Sequence, residues 1–352
     1  MIAVEWKLPI ESSDTVTCHL WAILRLLAFY GFDAPAPLYG CTCTFAADLS
    51  GRLPAIASWP PDWAEGAARI FGMRLQEVDR DDFDCGWREV VGRIAAGQPT
   101  VVVANVHDLP HHFSYGHASY GHCLIVTGYD EGKGEAHLVD DGPARWRGTI
   151  PLGQLRLACD LRGLPNGGTS RLRYFDFSPP TRPVSADAVD AAAAAEAFLS
   201  VERGVAGTDP LYARHPAHRD RGSAGIRAYA EALRRLGALI AHEGPDDALK
   251  AHLAGLHLAS SAVGELRLGC QGFILSLVES GRLAGAEAEA RAAVADLGES
   301  YRLWRMVSMM YLKARIGDPV NIMDRTARRL GEIAGLEERA AGHMPWLRAA
   351  VR

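Results

Sequence analysis

Cys18, His122 and Asp140 are the residues of this chain whose types and spacing suit nucleophilic acyl chemistry. An imidazole held by a carboxylate can take the proton of a nearby thiol and return it to a leaving group, and that division of labour defines a catalytic triad. The histidine and the aspartate lie in one stretch, GHCLIVTGYDEGKGEAHLVDD, which reads as a β-hairpin. Residues 122–129 and 135–140 are rich in β-branched and apolar types, and the polar, glycine-containing DEGKG between them supplies the turn. Pairing Tyr129 with Glu135 sets Leu124 opposite Asp140. The two-residue period then places His122, Leu124, Val126, Ala136, Leu138 and Asp140 on one face, apolar except at its open end. There His122 and Asp140 are diagonal neighbours, while Asp141 points to the other face. A slip of one residue would exchange the two aspartates.

Cys18 stands at the start of TCHLWAILRLLAFYG, where Asp14, Thr15 and Thr17 offer caps, Leu20, Ile23, Leu24 and Leu27 form an apolar stripe, and Gly31 is a stop. A thiol in the first turn of a helix meets free N–H groups and the positive end of the helix dipole. Both favour thiolate, and an imidazolium partner favours it further. His19 follows directly, but neighbours on a helix point about 100° apart, so it is poorly placed as that thiol's base.

The other thiols and imidazoles are the candidates for metal ligands. His107, His111, His112 and His117 precede His122 in HDLPHHFSYGHASYG, with a spacing that fits no compact ligand pattern. They read instead as part of a loop lining a substrate cleft. Cys41 and Cys43 form a C-x-C without a matching pair and read as small buried or reactive thiols. No metal and no cofactor are expected.

Composition sets the bounds. The 352 residues suffice for two domains with full cores, and a net charge of −5 argues against nucleic acid or an anionic membrane as the main partner. The chain has no apolar run of roughly 18 residues or more, and MIAVEWKLPIESSD lacks the basic start and apolar core of a signal peptide. A cytoplasmic protein is expected. Seven cysteines without CxxC pairs suggest free thiols rather than a disulfide framework.

Along the chain, FDAPAPLYGCTCTFAADLSGRLP reads as loop or short strands, 63–72 as a short helix, 87–96 as a firmer helix stopped by Gly97, and TVVVANV as a buried strand. Alternating apolar residues near Leu172, Tyr174 and Phe175 suit a last strand. Pro-rich sequence then gives way to an alanine-rich helix at SPPTRPVSADAVDAAAAAEAF. The expected division is therefore a catalytic domain over 1–178 and a helical bundle over 179–352, with helices near 186–200, 223–241, 246–280, 284–297, 299–316 and 320–341.

Several of these segments together resemble a known family: Cys18 on a helix, WREVVGRIAAGQP at 87–99, LPHH at 109–112, GHCLIVTGYD at 121–130, GIRAYAEALRRL at 225–236 and AGHMPWLRAA at the end of the chain. The order is similar to the N-terminal domain of butirosin biosynthesis protein H with its attached helical domain. The resemblance implies an α+β fold of papain type followed by an all-α domain. It further implies an acyltransferase of secondary metabolism that accepts an acyl or aminoacyl group from an acyl carrier protein thioester on Cys18. His122 would be the base, Asp140 its orienting carboxylate, and a small-molecule amine the acceptor. Ser12 stands where papain-like enzymes place an oxyanion-binding Gln, and Cys18 is preceded by Thr17 where the family commonly has His. Arg234, Arg235, Arg328 and Arg329 could meet an acidic carrier, although charged helix faces are most simply solvated. The same residues would serve a cysteine peptidase or amidase, or a cyclase that releases a carrier-bound chain. A non-catalytic binding protein on the same fold is the alternative from another class.

Overall fold

The structure, a computed structural model, describes residues 1–8, 18–32, 43–56, 68, 72–140, 145–164, 168–179, 181, 189, 191–209, 220–244, 246–314 and 317–351. The chain forms two compact units. The first comprises Met1–Asp33 and Arg74–Pro179, the second Ala34–Met73 and Pro180–Arg352. A division at 178 was expected; the segment 34–73 instead groups with the C-terminal part, so the first unit is discontinuous in sequence. The sequence expectation of a short helix over 63–72 falls almost wholly outside the described residues, as do Cys41, the caps Asp14, Thr15 and Thr17, and the residues Ser12 and Asp141.

The first unit is α+β. Strand β1 (Ile2–Ala3) precedes helix α1 (Cys18–Phe29), and β2 (Ala46–Asp48) and β3 (Ala55–Ile56) belong to the other unit. The sheet resumes with β4 (Arg74–Arg80) and continues, after helix α2 (Phe83–Ala95), through β5 (Thr100–Asn105), β6 (Gly121–Asp130), β7 (Glu135–Asp140) and β8 (Trp146–Pro151). Helix α3 (Leu152–Ala158) and strand β9 (Leu172–Ser178) complete the unit. Strand order is β4-β9-β5-β6-β7-β8, with β1 added to β6, and every pairing is antiparallel.

Both faces of this sheet are covered, which is why β5 reads as an unbroken apolar run. On one face Phe83, Trp87, Val90 and Ile94 of α2 pack with Val102, Ala104, Leu124, Val126, Ala136 and Leu138. On the other, His19 of α1 packs against Phe175, and Tyr30, just past the end of the helix, against Phe177. Helix α2 starts at Phe83, earlier than the expected 87, because the Asp82 side chain accepts the Cys85 N–H at 2.7 Å and caps it there. Helix α1 ends as expected, with Gly31 at φ 83° and its N–H donated to Ala28.

The β6–β7 hairpin holds a correction. Near the open end Val126 faces Leu138 and Ile125 faces Val139, the register expected, which brings Leu124 beside Asp140. Toward the turn, however, Asp130 faces Glu135 and Tyr129 faces Ala136, one residue off the expected Tyr129–Glu135 pair. Thr127 is the extra residue, a β-bulge between Val126 and Gly128. The bulge reverses the alternation of β6, so Tyr129 returns to the α2 face and meets Trp87 edge-on at 5.5 Å.

The second unit is mainly helical. It contains α4 (Ala191–Ala206), the short β10 (Asp220–Arg221) paired with β2, and four long helices: α5 (Gly222–Glu243), α6 (Asp247–Glu279), α7 (Glu287–Ala314) and α8 (Pro319–Ala350). Two helices expected over 284–297 and 299–316 are one. Gly298 is no breaker: it lies within α7, where a Cβ would meet only the end of the Gln271 side chain. Phe45 and Ala47 of the 34–73 segment join the core with Tyr229, Leu233, Trp304 and Leu330. Arg267 and Glu337 are buried at its heart, and the guanidinium donates to the carbonyls of Cys43 (3.1 Å) and Thr44 (2.9 Å). Those bonds fasten the early segment to the helices.

Candidate active site

Cys18 opens α1 and is partly exposed, whereas Ile23, Leu26 and Leu27, further along the same helix, are buried. The helix is thus anchored by its apolar stripe with its N-terminal thiol at an accessible end. His122 and Asp140 come from adjoining strands of the sheet and are both buried. His122 Nε2 lies 2.9 Å from Asp140 Oδ1. An ionised carboxylate only accepts, so Nε2 carries the proton in that bond and Nδ1 is the nitrogen left for Cys18, with which His122 also hydrogen-bonds. The structure therefore places His122 against Asp140, a contact that follows from the register at the open end of the hairpin, and Cys18 near enough to His122 for each to act on the other's charge.

Electrostatics favour the charged pair. A hydrogen bond from the Cys123 thiol is the largest influence on Cys18; with the charge and hydrogen bond of His122 it overcomes burial and holds the Cys18 thiol well below its ordinary value. Burial disfavours a charged His122, but the Cys18 thiolate, the bonds to Asp140 and Cys18, and the Asp140 charge outweigh it and raise the imidazole to about 10. Asp140 is opposed by burial and still held below the usual carboxylate range, because His111 and His122 both donate to it. Cys123 shifts the opposite way, its thiol raised by its bond to Cys18 and by burial, so it stays protonated as the donor.

Two further imidazoles were not assigned by sequence. His111 Nε2 donates to the second carboxylate oxygen, Asp140 Oδ2, at 3.0 Å, and its ring stacks on Trp146 at 3.9 Å and 9°. His112 is buried with its ring 4.9 Å from that of His122. Its Nδ1 accepts the Ser114 N–H at 3.1 Å, which fixes the neutral tautomer with the proton on Nε2. Burial, assisted by the His122 charge, lowers His112 to about 4. LPHH was the signal: two consecutive histidines that the chain folds over the end of the sheet.

The remaining candidates separate from the site. His19 packs on Phe175 at 4.5 Å, and burial lowers it to about 4. His107 is a partner of Asp108 at 3.2 Å, and His117 is exposed. Cys43 is buried with its sulfur 3.7 Å from that of Cys270, a contact that, with burial, raises its thiol. Among the described residues no group of three or more His, Cys, Asp or Glu is arranged to hold a metal ion. Of the four arginines expected to meet a carrier, Arg234, Arg328 and Arg329 pair with Glu231, Asp324 and Glu332, and Arg235 is exposed. No helix among the described residues is long and apolar enough to cross a membrane.

Residues 44–141 match the family model for butirosin biosynthesis protein H, N-terminal. The butirosin-H stretch includes His111, His112, His122 and Asp140, and it begins after Cys18. Its name is that of a biosynthetic protein. No curated protein matches the chain.

Proposed function

We propose that this protein is a cysteine-dependent acyltransferase of a biosynthetic pathway, taking an acyl or aminoacyl group from an acyl carrier protein thioester onto Cys18 and passing it to an amine. The observation that carries this reading is an imidazole 2.9 Å from a buried carboxylate, beside a partly exposed thiol that the imidazole's charge holds below its ordinary value. The butirosin-H match supports the biosynthetic setting.

In this mechanism the Cys18 thiolate attacks the thioester carbonyl, forming a C–S bond, and the tetrahedral intermediate collapses to expel the carrier thiolate, which takes the proton of His122. Amine attack then follows, with His122 accepting the proton of the nitrogen as the Cys18 sulfur leaves. N–H groups of the first turn of α1 and the Nε2–H of neutral His112 are the donors suited to the oxyanion, a task in which a buried neutral imidazole is effective. Exchange of one thioester for another is nearly balanced, so amide formation drives the sequence.

Intact mass of the protein after exposure to an acyl-carrier thioester tests the reading. Parent protein should gain one acyl group that persists in buffer and leaves on addition of the right amine, and Cys18→Ala should gain none. Cleavage of peptides, with rapid loss of the acyl group to water, would replace the transferase by a peptidase or amidase. Release of a cyclised chain would indicate a cyclase. Full function in Cys18→Ala would leave a binding protein.

A further inference from the structure

We infer that His111 is a positioning residue: it holds the Asp140 carboxylate in the plane that lets its other oxygen orient His122. The inference rests on the acyl-transfer site just described. Asp140 uses Oδ1 for His122 at 2.9 Å and Oδ2 for His111 at 3.0 Å, so each oxygen has its own imidazole donor. The torsion that turns a carboxylate about its Cβ–Cγ bond is broad and soft. A single hydrogen bond leaves that rotation open, whereas donors on both oxygens close it.

The surroundings of His111 suit a clamp. Its ring lies flat on the Trp146 indole at 3.9 Å and 9°. Trp146 is itself the partner of Asp140 across the β7–β8 ladder, so carboxylate, imidazole and indole are tied to one rung. Room for the indole comes from Gly148, where a Cβ would sit 2.6 Å from Trp146 Cζ2. The loop carrying His111 is held at both ends: Gln154 Nε2 donates to the Asp108 carbonyl at 2.7 Å, and Val106 N–H to the Tyr120 carbonyl at 3.1 Å. The Nδ1 of His111 is buried and has no hydrogen-bond partner among the described residues. A ring kept there with one nitrogen unsatisfied is explained by what its other nitrogen does.

The test compares His111→Phe, which keeps a ring for Trp146 but removes the donor, with His111→Gln, whose amide can donate from the place of Nε2. Iodoacetamide alkylation of Cys18 as a function of pH is the main readout, with thermal midpoint measured alongside. His111→Phe should slow alkylation near neutral pH by roughly 10- to 100-fold, the range seen when the hydrogen-bond partner that orients a metal-ligating histidine is removed. Its acid limb should move up toward that of an ordinary thiol, and His111→Gln should recover most of both effects. In thioester turnover kcat should fall while KM stays near the parent value. Trp146→Leu removes the plane under His111 and leaves every other member of the site; it should give the same shift in smaller measure. A parent-like alkylation profile in His111→Phe, or in Trp146→Leu if His111→Phe does not fold, would overturn the inference whatever happens to the thermal midpoint. Failure of the parent to load from a thioester would instead count against the transferase reading, and the alkylation comparison would still decide the role of His111.

Discussion

Asp140 in the sheet unit and Glu337 in the helical unit are both buried carboxylates, and their partners differ in kind. Glu337 accepts from Arg267 at both oxygens (2.7 Å each), from Ser300 at 2.9 Å and from Trp304 Nε1 at 3.0 Å. Arg267 directs its remaining donors to backbone carbonyls, including those of Cys43 and Thr44. That cluster is closed by further hydrogen bonds on both of its charged members. Asp140 also has a donor on each oxygen, but both are imidazoles, which can give up a proton, and one of them leads to a partly exposed thiol. An ion pair whose remaining bonds end in backbone holds a segment in place. A network of imidazoles ending in a thiol is the arrangement that the proposed proton transfer would need.

Asp140→Asn gives the largest expected separation between the two. The amide presents an N–H to one of two imidazole N–H groups and forces the wrong tautomer on it. Loading of Cys18 from a thioester should slow by as much as about 10⁴-fold, as for the aspartate of a serine-protease triad, with the fold retained. Stopped-flow loading rates measure this, and an undiminished rate would remove Asp140 from the mechanism. Asp141→Asn is the matched control and should do little.

Glu337→Gln should behave in the opposite sense. Removing one partner of a buried ion pair leaves the other uncompensated and costs about 3–5 kcal/mol of stability. Urea unfolding should register that loss, while alkylation of Cys18 in the protein that remains folded keeps the parent rate. Equal damage to both readouts would mean that the two clusters are energetically one.

The pH response sharpens the contrast further. A thiol held below its ordinary value stays ionised as pH falls toward neutrality, and an imidazole raised to about 10 keeps its proton until pH reaches that region. Between the two limits the pair is charged and active. Acyl transfer should therefore rise through an acid limb well below 9, hold a plateau across neutral pH, and fall near pH 10 as His122 deprotonates. A single rise near the ordinary cysteine value with no plateau would show that no ion pair forms.

Cys123 acts on the acid limb alone. Replacing it with Ala removes the largest single influence on the Cys18 thiol and should move the acid limb of Cys18 alkylation upward, whereas Cys123→Ser keeps a donor and should move it less. Mass mapping should find Cys18 labelled first among the thiols; preferential labelling of Cys43 or Cys123 would sink the assignment of the nucleophile.

The legible parts of the molecule were those governed by a period. The α1 stripe, the β5 run and the open half of the hairpin follow from 3.6- and two-residue repeats, and those repeats put His122 beside Asp140. His111 was hidden because it reaches the carboxylate from an irregular loop, where no repeat says which way a side chain turns. The bulge at Thr127 was hidden because nothing in VTGYD announces an extra residue, and the face of Tyr129 was misread with it. The membership of 34–73 was hidden for a different reason. It is fixed by Arg267 reaching the carbonyls of residues more than two hundred positions earlier, and backbone acceptors are the same in every sequence.

The bulge has one more consequence. Val126 pairs with Leu138 and Gly128 with His137, so a chain lacking Thr127 would make those two pairs consecutive rungs. A deletion in the middle of a buried strand usually shifts the reading frame of every side chain beyond it; here it would leave the pairing at both ends unchanged. What would alter is the local coiling of the ribbon, and with it the angle at which the imidazole and the carboxylate leave the sheet. Amide-exchange protection that survives deletion of Thr127, together with a changed rate of Cys18 alkylation, would mark this position as a dial on the proton-transfer geometry, set by chain length rather than by the identity of any side chain.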